Sequence, residues 1–227
     1  MTTTSQTNTY DLFIQMIKKW LADLGINSKL FIEINGDEIL PMTARTLSSG
    51  VLSYLQLPTD LIPDKLRFIG LIDDVIVMIA GLVIIVPLMP EDRLSYYGKK
   101  YEAVRGISEF EQVMKSTLGI LWERLKQYVE TLQKRTFKGK TTEEVVQSPE
   151  LREELFDETM IFIAKLNLNP ETLDNDIKQL PSPEKVIRLL GSGLEEAQKQ
   201  QAKDEKSASQ TKSAFKRILL SATGKQE

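Results

Sequence analysis

The sequence predicts a predominantly α-helical protein: a helical hairpin with an apolar central helix, followed by a C-terminal helical region. Three observations lead there. Apolar residues recur at three- and four-residue spacing through much of the 227-residue chain. Capping boxes and Ser-Pro starts punctuate its second half. An uninterrupted apolar run, Val75 to Met89, follows a turn marked by aspartates, prolines and a glycine.

In chain order, Thr9 can cap a helix in which Leu12, Phe13, Met16, Ile17, Trp20, Leu21 and Leu24 form one face, with Gly25 as its stop. Residues 29–40 are rich in β-branched and aromatic side chains around Asn35-Gly36, a dipeptide favoured in tight hairpins. They read as a small β-hairpin, with an irregular linker as the alternative. Leu47, Val51, Leu52, Tyr54 and Leu55 suit a helix from Thr43 that Pro58 ends. Pro58, Pro63 and Gly70 then make a structured turn before the apolar run.

After Pro90 the chain turns polar, with Tyr96, Tyr97 and Tyr101 clustered. Ser108 and Glu111 form a capping-box pattern opening a helix expected to run to about Thr136, and Lys138 to Lys140 breaks it. Thr141 with Glu144 is a second box, and Ser148-Pro149 and Ser182-Pro183 open two further helices. Residues 195–213 carry scarcely an apolar anchor and read as an exposed helical extension or a disordered tether, ahead of a short basic-apolar tail. These features divide the chain into 1–42 (N-terminal helix and hairpin), 43–106 (central hairpin), 107–194 (helical region) and 195–227 (polar extension and tail).

Composition narrows the chemistry. With 41% apolar and 27% charged residues the chain should bury a real core, and a net charge of -3 gives no field that would favour nucleic acid as the main partner. There is no cysteine and no histidine. Disulfides, thiolate nucleophiles, cysteine-ligated metals and the commonest general base near neutral pH are thereby absent. Met1 to Tyr10 lacks the basic and apolar regions of a secretory signal, so the expected compartment is the cytoplasm, with membrane association as a further expectation.

Asp60, Asp64, Asp73 and Asp74 are candidate metal ligands, because carboxylates bunched around a turn supply the oxygen donors that calcium, magnesium or manganese require. The same residues can cap helices and hold the turn, and aspartate's preference for caps favours that reading. The apolar run is either a buried core helix or half of a hairpin dipping into a membrane. As a helix its 15 residues span about 22 Å, short of a hydrocarbon core of roughly 30 Å. Val77, Ile84 and Ile85 are the candidate lipid or partner contacts within it, and Lys216 and Arg217 those of the tail. Gly139-Lys140-Thr141 only mimics the end of a phosphate-binding loop, since Lys134 stands where that loop needs its first glycine.

The motif Pro58-Thr-Asp60-Leu-Ile-Pro63-Asp64, then Gly70, then Asp73-Asp74 ahead of the apolar run, resembles the signature of the YkvA-like family, a domain of unknown function (1232). Leu66-Arg67 departs from the Ile-Pro common there. The resemblance covers about residues 49–89 and implies a helical hairpin, often membrane-associated, with no established activity. The expected function is that of a membrane-associated or partner-binding helical protein without evident catalysis. The alternative is a soluble helical protein holding a divalent cation at the central aspartates and possessing hydrolytic activity.

Overall fold

The computed structural model describes residues 3–56, 61–62, 70–177 and 182–223. Among them are twelve α-helices and one two-stranded hairpin. The first four helices are α1 (Thr3–Ala22), α2 (Leu24–Gly36), α3 (Met42–Tyr54) and α4 (Gly70–Ile85), the last extended by a 3-10 turn, Val86–Leu88. Then come α5 (Glu91–Lys100), α6 (Glu102–Arg105), α7 (Ile107–Leu118) and α8 (Ile120–Thr131). Strands β1 (Thr136–Phe137) and β2 (Lys140–Thr141) precede α9 (Thr142–Gln147), α10 (Pro149–Leu166), α11 (Pro170–Ile177) and α12 (Pro183–Thr223).

The predominantly helical class holds, but the segment expected as a hairpin at 29–40 is helix up to Gly36 and a turn from 37 to 40. Leu24, Asn27, Ser28, Phe31, Ile34 and Asn35 are all buried along α2, a three- and four-residue spacing that includes three polar side chains. Counting only apolar residues hides that period. Asn35 does not turn the chain: its Nδ2 donates to Ser49 Oγ and, at 3.4 Å, to the Arg45 carbonyl, while Arg45 Nε donates to the Asn35 carbonyl at 2.9 Å. The hairpin lies instead at β1–β2, with Thr136 opposite Thr141 and Phe137 opposite Lys140. Its two-residue turn, Lys138-Gly139, takes positive φ at both positions (48° and 78°), the backbone that matches the twist of paired strands.

Helix boundaries shift for local reasons. The first helix already spans Thr3, so Thr9 is interior, and the break falls at Asp23, leaving Gly25 in the first turn of α2. Ser108 does not cap: α7 starts at Ile107 behind Gly106, with no side-chain cap bond. The long helix expected up to Thr136 is cut at Gly119, whose φ of 56° and ψ of -129° suit a glycine. The second capping box forms as read. Thr141 Oγ1 accepts from Glu144 N at 3.1 Å, and Glu144 Oε2 accepts from Thr141 N at 2.8 Å. Ser148 Oγ accepts from Leu151 N ahead of Pro149. The polar extension continues as helix through to Thr223.

One hydrophobic cluster runs from Phe13 to Leu194, with α4 at its centre. α4 packs against α1, α3, α7 and α8. Small residues let the neighbours close in. Gly81 of α4 faces Val51 and Phe31, and Gly50 of α3 sits against the Leu132 backbone, where a Cβ would collide with the carbonyl.

Gly50→Ala should therefore destabilise the fold. Overpacking against backbone costs about 1–3 kcal/mol, partly offset by up to about 1 kcal/mol of helix propensity. Gly191, with open space where a Cβ would go, is the control. Urea melts should show Gly191→Ala neutral or slightly stabilised and Gly50→Ala shifted to lower midpoint. Equal midpoints would contradict this close approach of α3 to the segment after α8.

Candidate functional site

Acidic side chains lie deep in the core at the start of α4. Asp73 falls in the first turn of that helix and is fully buried, and Asp74 is 2% exposed. Neither is the cap expected of it, because α4 already includes Gly70. The Asp73 carboxylate is used across the hairpin instead. Its Oδ2 accepts from the Tyr54 hydroxyl at 2.6 Å and from the Ile62 N–H at 3.1 Å. The Tyr54 hydroxyl in turn accepts from the Leu61 N–H at 3.0 Å. One phenol and one carboxylate thus tie the end of α3, residues 61–62 and the start of α4 together.

Outside this contact lies an aromatic and cationic layer. Tyr128 of α8 meets the Tyr54 ring edge-on with centroids 6.4 Å apart. The Arg135 guanidinium sits 5.3 Å from the Tyr54 ring centre and donates to the Tyr128 hydroxyl at 2.7 Å. Burial pushes the Asp73 carboxyl up to about 7, against the lowering effect of the bonds from Tyr54 and from backbone N–H groups. Burial, then the Asp73 charge, raises the Tyr54 phenol well above its usual range, so it stays a donor at neutral pH. Asp73 Oδ1 has no hydrogen-bond partner among the described residues.

Of the four candidate metal ligands, Asp73 and Asp74 lie side by side here, while Asp60 and Asp64 fall outside the described residues. Among the described residues no three acidic groups stand together as a metal site would require. Val77 and Ile85 are fully buried in the core, and Ile84 is half-buried, so lipid or a partner could reach the first two only if the bundle opened. Lys216 and Arg217 lie within α12. Sequence reasoning treated Tyr54 only as an apolar helix position and missed its bond to Asp73. The one available hint was a tyrosine ending the helix before an acid-marked turn.

A second polar place is a cleft of about 240 Å³ lined by Lys19, Trp20, Asn27, Lys100, Glu102 and Arg105 among others. Three of its cations are already engaged. Lys19 pairs with Glu102, Lys100 with Glu33 at 2.6 Å, and Arg105 donates to the Gly98 carbonyl at 2.6 Å.

Residues 44–80 match the family model described as Protein of unknown function (DUF1232). The match is short and takes in most of α3 and the first part of α4, with the Tyr54–Asp73 contact inside it. Comparison with curated proteins and with solved structures finds no match. Within the matched segment, then, the Tyr54–Asp73 contact locks a hairpin, while Arg45 and Ser48 bind it to α2 and α9.

Removing the phenol hydroxyl leaves the Leu61 N–H and an Asp73 oxygen each short of a partner. Tyr54→Phe should cost about 1–3 kcal/mol in urea unfolding. The pH dependence carries a definite sign. An unfolded aspartate titrates near about 3.9, so between there and about 7 the folded protein holds a proton that the unfolded chain releases. Stability from this group therefore falls as pH rises through that window. Asp73→Asn should flatten that part of the melting profile, and a variant curve parallel to the wild type would show that Asp73 titrates normally.

Proposed function

We propose that the protein acts by binding a macromolecular partner rather than by catalysis, with the DUF1232 hairpin as the buried frame that holds its outer helices in place. The observation that carries this reading is the covering of α4. The helix packs against four others, and its first acid is engaged by Tyr54 and Ile62 instead of facing an open cleft. A reaction centre needs polar groups that converge on space a substrate can enter. Asp73 and Asp74 lie in the core, and in the cleft beside α1 Lys19 is paired with Glu102, Lys100 with Glu33, and Arg105 with a backbone carbonyl.

Membrane insertion is the second reading, because Gly70–Leu88 is long and apolar enough to cross a bilayer by length and composition. Against it, 72% of that stretch is buried among the protein's own helices. A lipid-facing helix would leave α1, α3, α7 and α8 with uncovered apolar faces, a large cost at about 25 cal/mol per Å².

Fractionation of expressed protein separates the two readings. Partner binding predicts a folded protein in the soluble fraction, or one released from the pellet by high salt. Retention through high-salt and then alkaline washes would overturn it and place α4 in lipid.

A further inference from the structure

The helices around α4 leave one end of the bundle apolar. α3 and α4 are antiparallel, since Tyr54 at the end of α3 meets Asp73 near the start of α4, and Val51 lies against Gly81 farther along. The beginning of α3 and the end of α4 therefore share an end. α5 is drawn to the same place, where Asp37, in the turn between α2 and α3, accepts from the Tyr97 hydroxyl at 3.1 Å and pairs with Arg93 at 3.4 Å. Four large apolar side chains at this end, from the α2–α3 turn, the beginning of α3, the 3-10 turn after α4 and α5, remain exposed: Ile39 (53%), Met42 (39%), Leu88 (40%) and Leu94 (39%). Glu38, Glu91 and Asp92 stand exposed among them in sequence; Asp92 also pairs with Arg93 at 3.8 Å, but with Asp37 the acids outnumber that one cation and give this cap an acidic rim.

The chain carries a segment of the opposite character. In the tail, Phe215, Ile218, Leu219 and Ala222 recur at the spacing of one helix face, and Lys212, Lys216 and Arg217 supply positive charge with no acid between them. This segment belongs to α12, an unbroken helix from Pro183 to Thr223. α12 packs on α8, with Gln198 bonded to Arg124 and Gln201 to Thr131. At 1.5 Å per residue, Phe215 lies about 21 Å along the helix beyond Gln201. The whole of α12 is about 60 Å long, against a diameter of about 40 Å for a body of this size. A continuous helix of that length does not fold back onto its own bundle.

We propose that the basic-apolar tail of one copy docks on the acid-rimmed apolar cap of a second copy, making the protein a reciprocal dimer. The proposal deepens the partner-binding reading and rests on it. Apolar contact supplies the affinity and the opposite charges set orientation, while two-fold symmetry uses each tail and each cap once.

The test is sedimentation of the full-length protein over a range of concentrations. A dimer is expected for the wild type. Phe215→Glu with Leu219→Glu in the tail, or Leu88→Glu with Leu94→Glu in the cap, should give monomers with unchanged circular dichroism. Charge reversal should weaken association roughly tenfold, or about 1.4 kcal/mol, for either Lys216→Glu with Arg217→Glu or Glu91→Lys with Asp92→Lys. Combining the four reversals in one chain should restore the dimer. A soluble protein that stays monomeric, or a dimer indifferent to the tail variants, overturns this proposal while leaving partner binding standing. A monomer whose tail binds anionic phosphatidylserine vesicles also overturns it and assigns the tail to lipid. Retention in alkaline-washed membranes would instead overturn partner binding itself.

Discussion

A helix that is apolar on every side must be covered on every side, and α4 imposes that requirement on the rest of the chain. Between Val75 and Leu82 each described residue is buried. An amphipathic neighbour can cover only one stripe, so several helices from distant parts of the sequence are needed. α1 comes from the N-terminal region, α3 from just before the turn, and α7 and α8 from beyond it. Each brings its apolar stripe inward and leaves its polar face out. The pairing of α1 with α7 follows, with Trp20 meeting Phe110 edge-on at 5.7 Å.

The same requirement explains the polar contacts inside the bundle. Burying an unpaired polar group costs several kcal/mol on an alkane scale and less where partial compensation occurs. The acid at the start of α4 is therefore joined to Tyr54 and to backbone N–H groups, and one hydroxyl satisfies two needs at once. Nearer the surface, Arg45 ties three elements together. Its Nε donates to Asn35 of α2, and its terminal nitrogen to the Val146 carbonyl of α9 at 3.4 Å. Ser48 donates to the Phe31 carbonyl, and Ser53 to that of Ser49 at 2.8 Å. These short side chains let α2 and α3 approach closely, which longer ones would prevent.

With the carboxylate of Asp73 committed to the hairpin, the surfaces left for function are those the core does not use. The outer faces of α5 and α10, the apolar cap at one end of the bundle and the long α12 are of that kind. This division of labour matches a chain without cysteine or histidine, whose buried acid is drawn up towards neutrality by its surroundings. A raised carboxyl pKa often marks catalysis. Here the same shift follows from burial alone, and the bonds that oppose it hold a turn.

Much of the helical plan was legible in the sequence. Strong local signals did that work: the Thr141–Glu144 box, the Ser148-Pro149 start, and the apolar spacing of Leu121, Trp122, Leu125, Tyr128 and Val129. Segment 29–40 was misread because the helical period of α2 runs through buried polar Asn27, Ser28 and Asn35, and the inward placement of Asn35 depends on its partners in α3. Gly119 and Gly106 ended helices that side-chain patterns alone would have continued or capped differently. The site was half legible: the aspartate motif marked the place, while Tyr54 as its partner was not foreseen. By itself the sequence determined the helical class, the caps at Thr141 and Ser148 and the need of the run after Asp74 for apolar surroundings, whether protein or lipid, because those rest on contacts within a few residues along the chain. Only the tertiary structure decided what covers α4 and where the Asp73 carboxylate goes, because both depend on which distant faces meet.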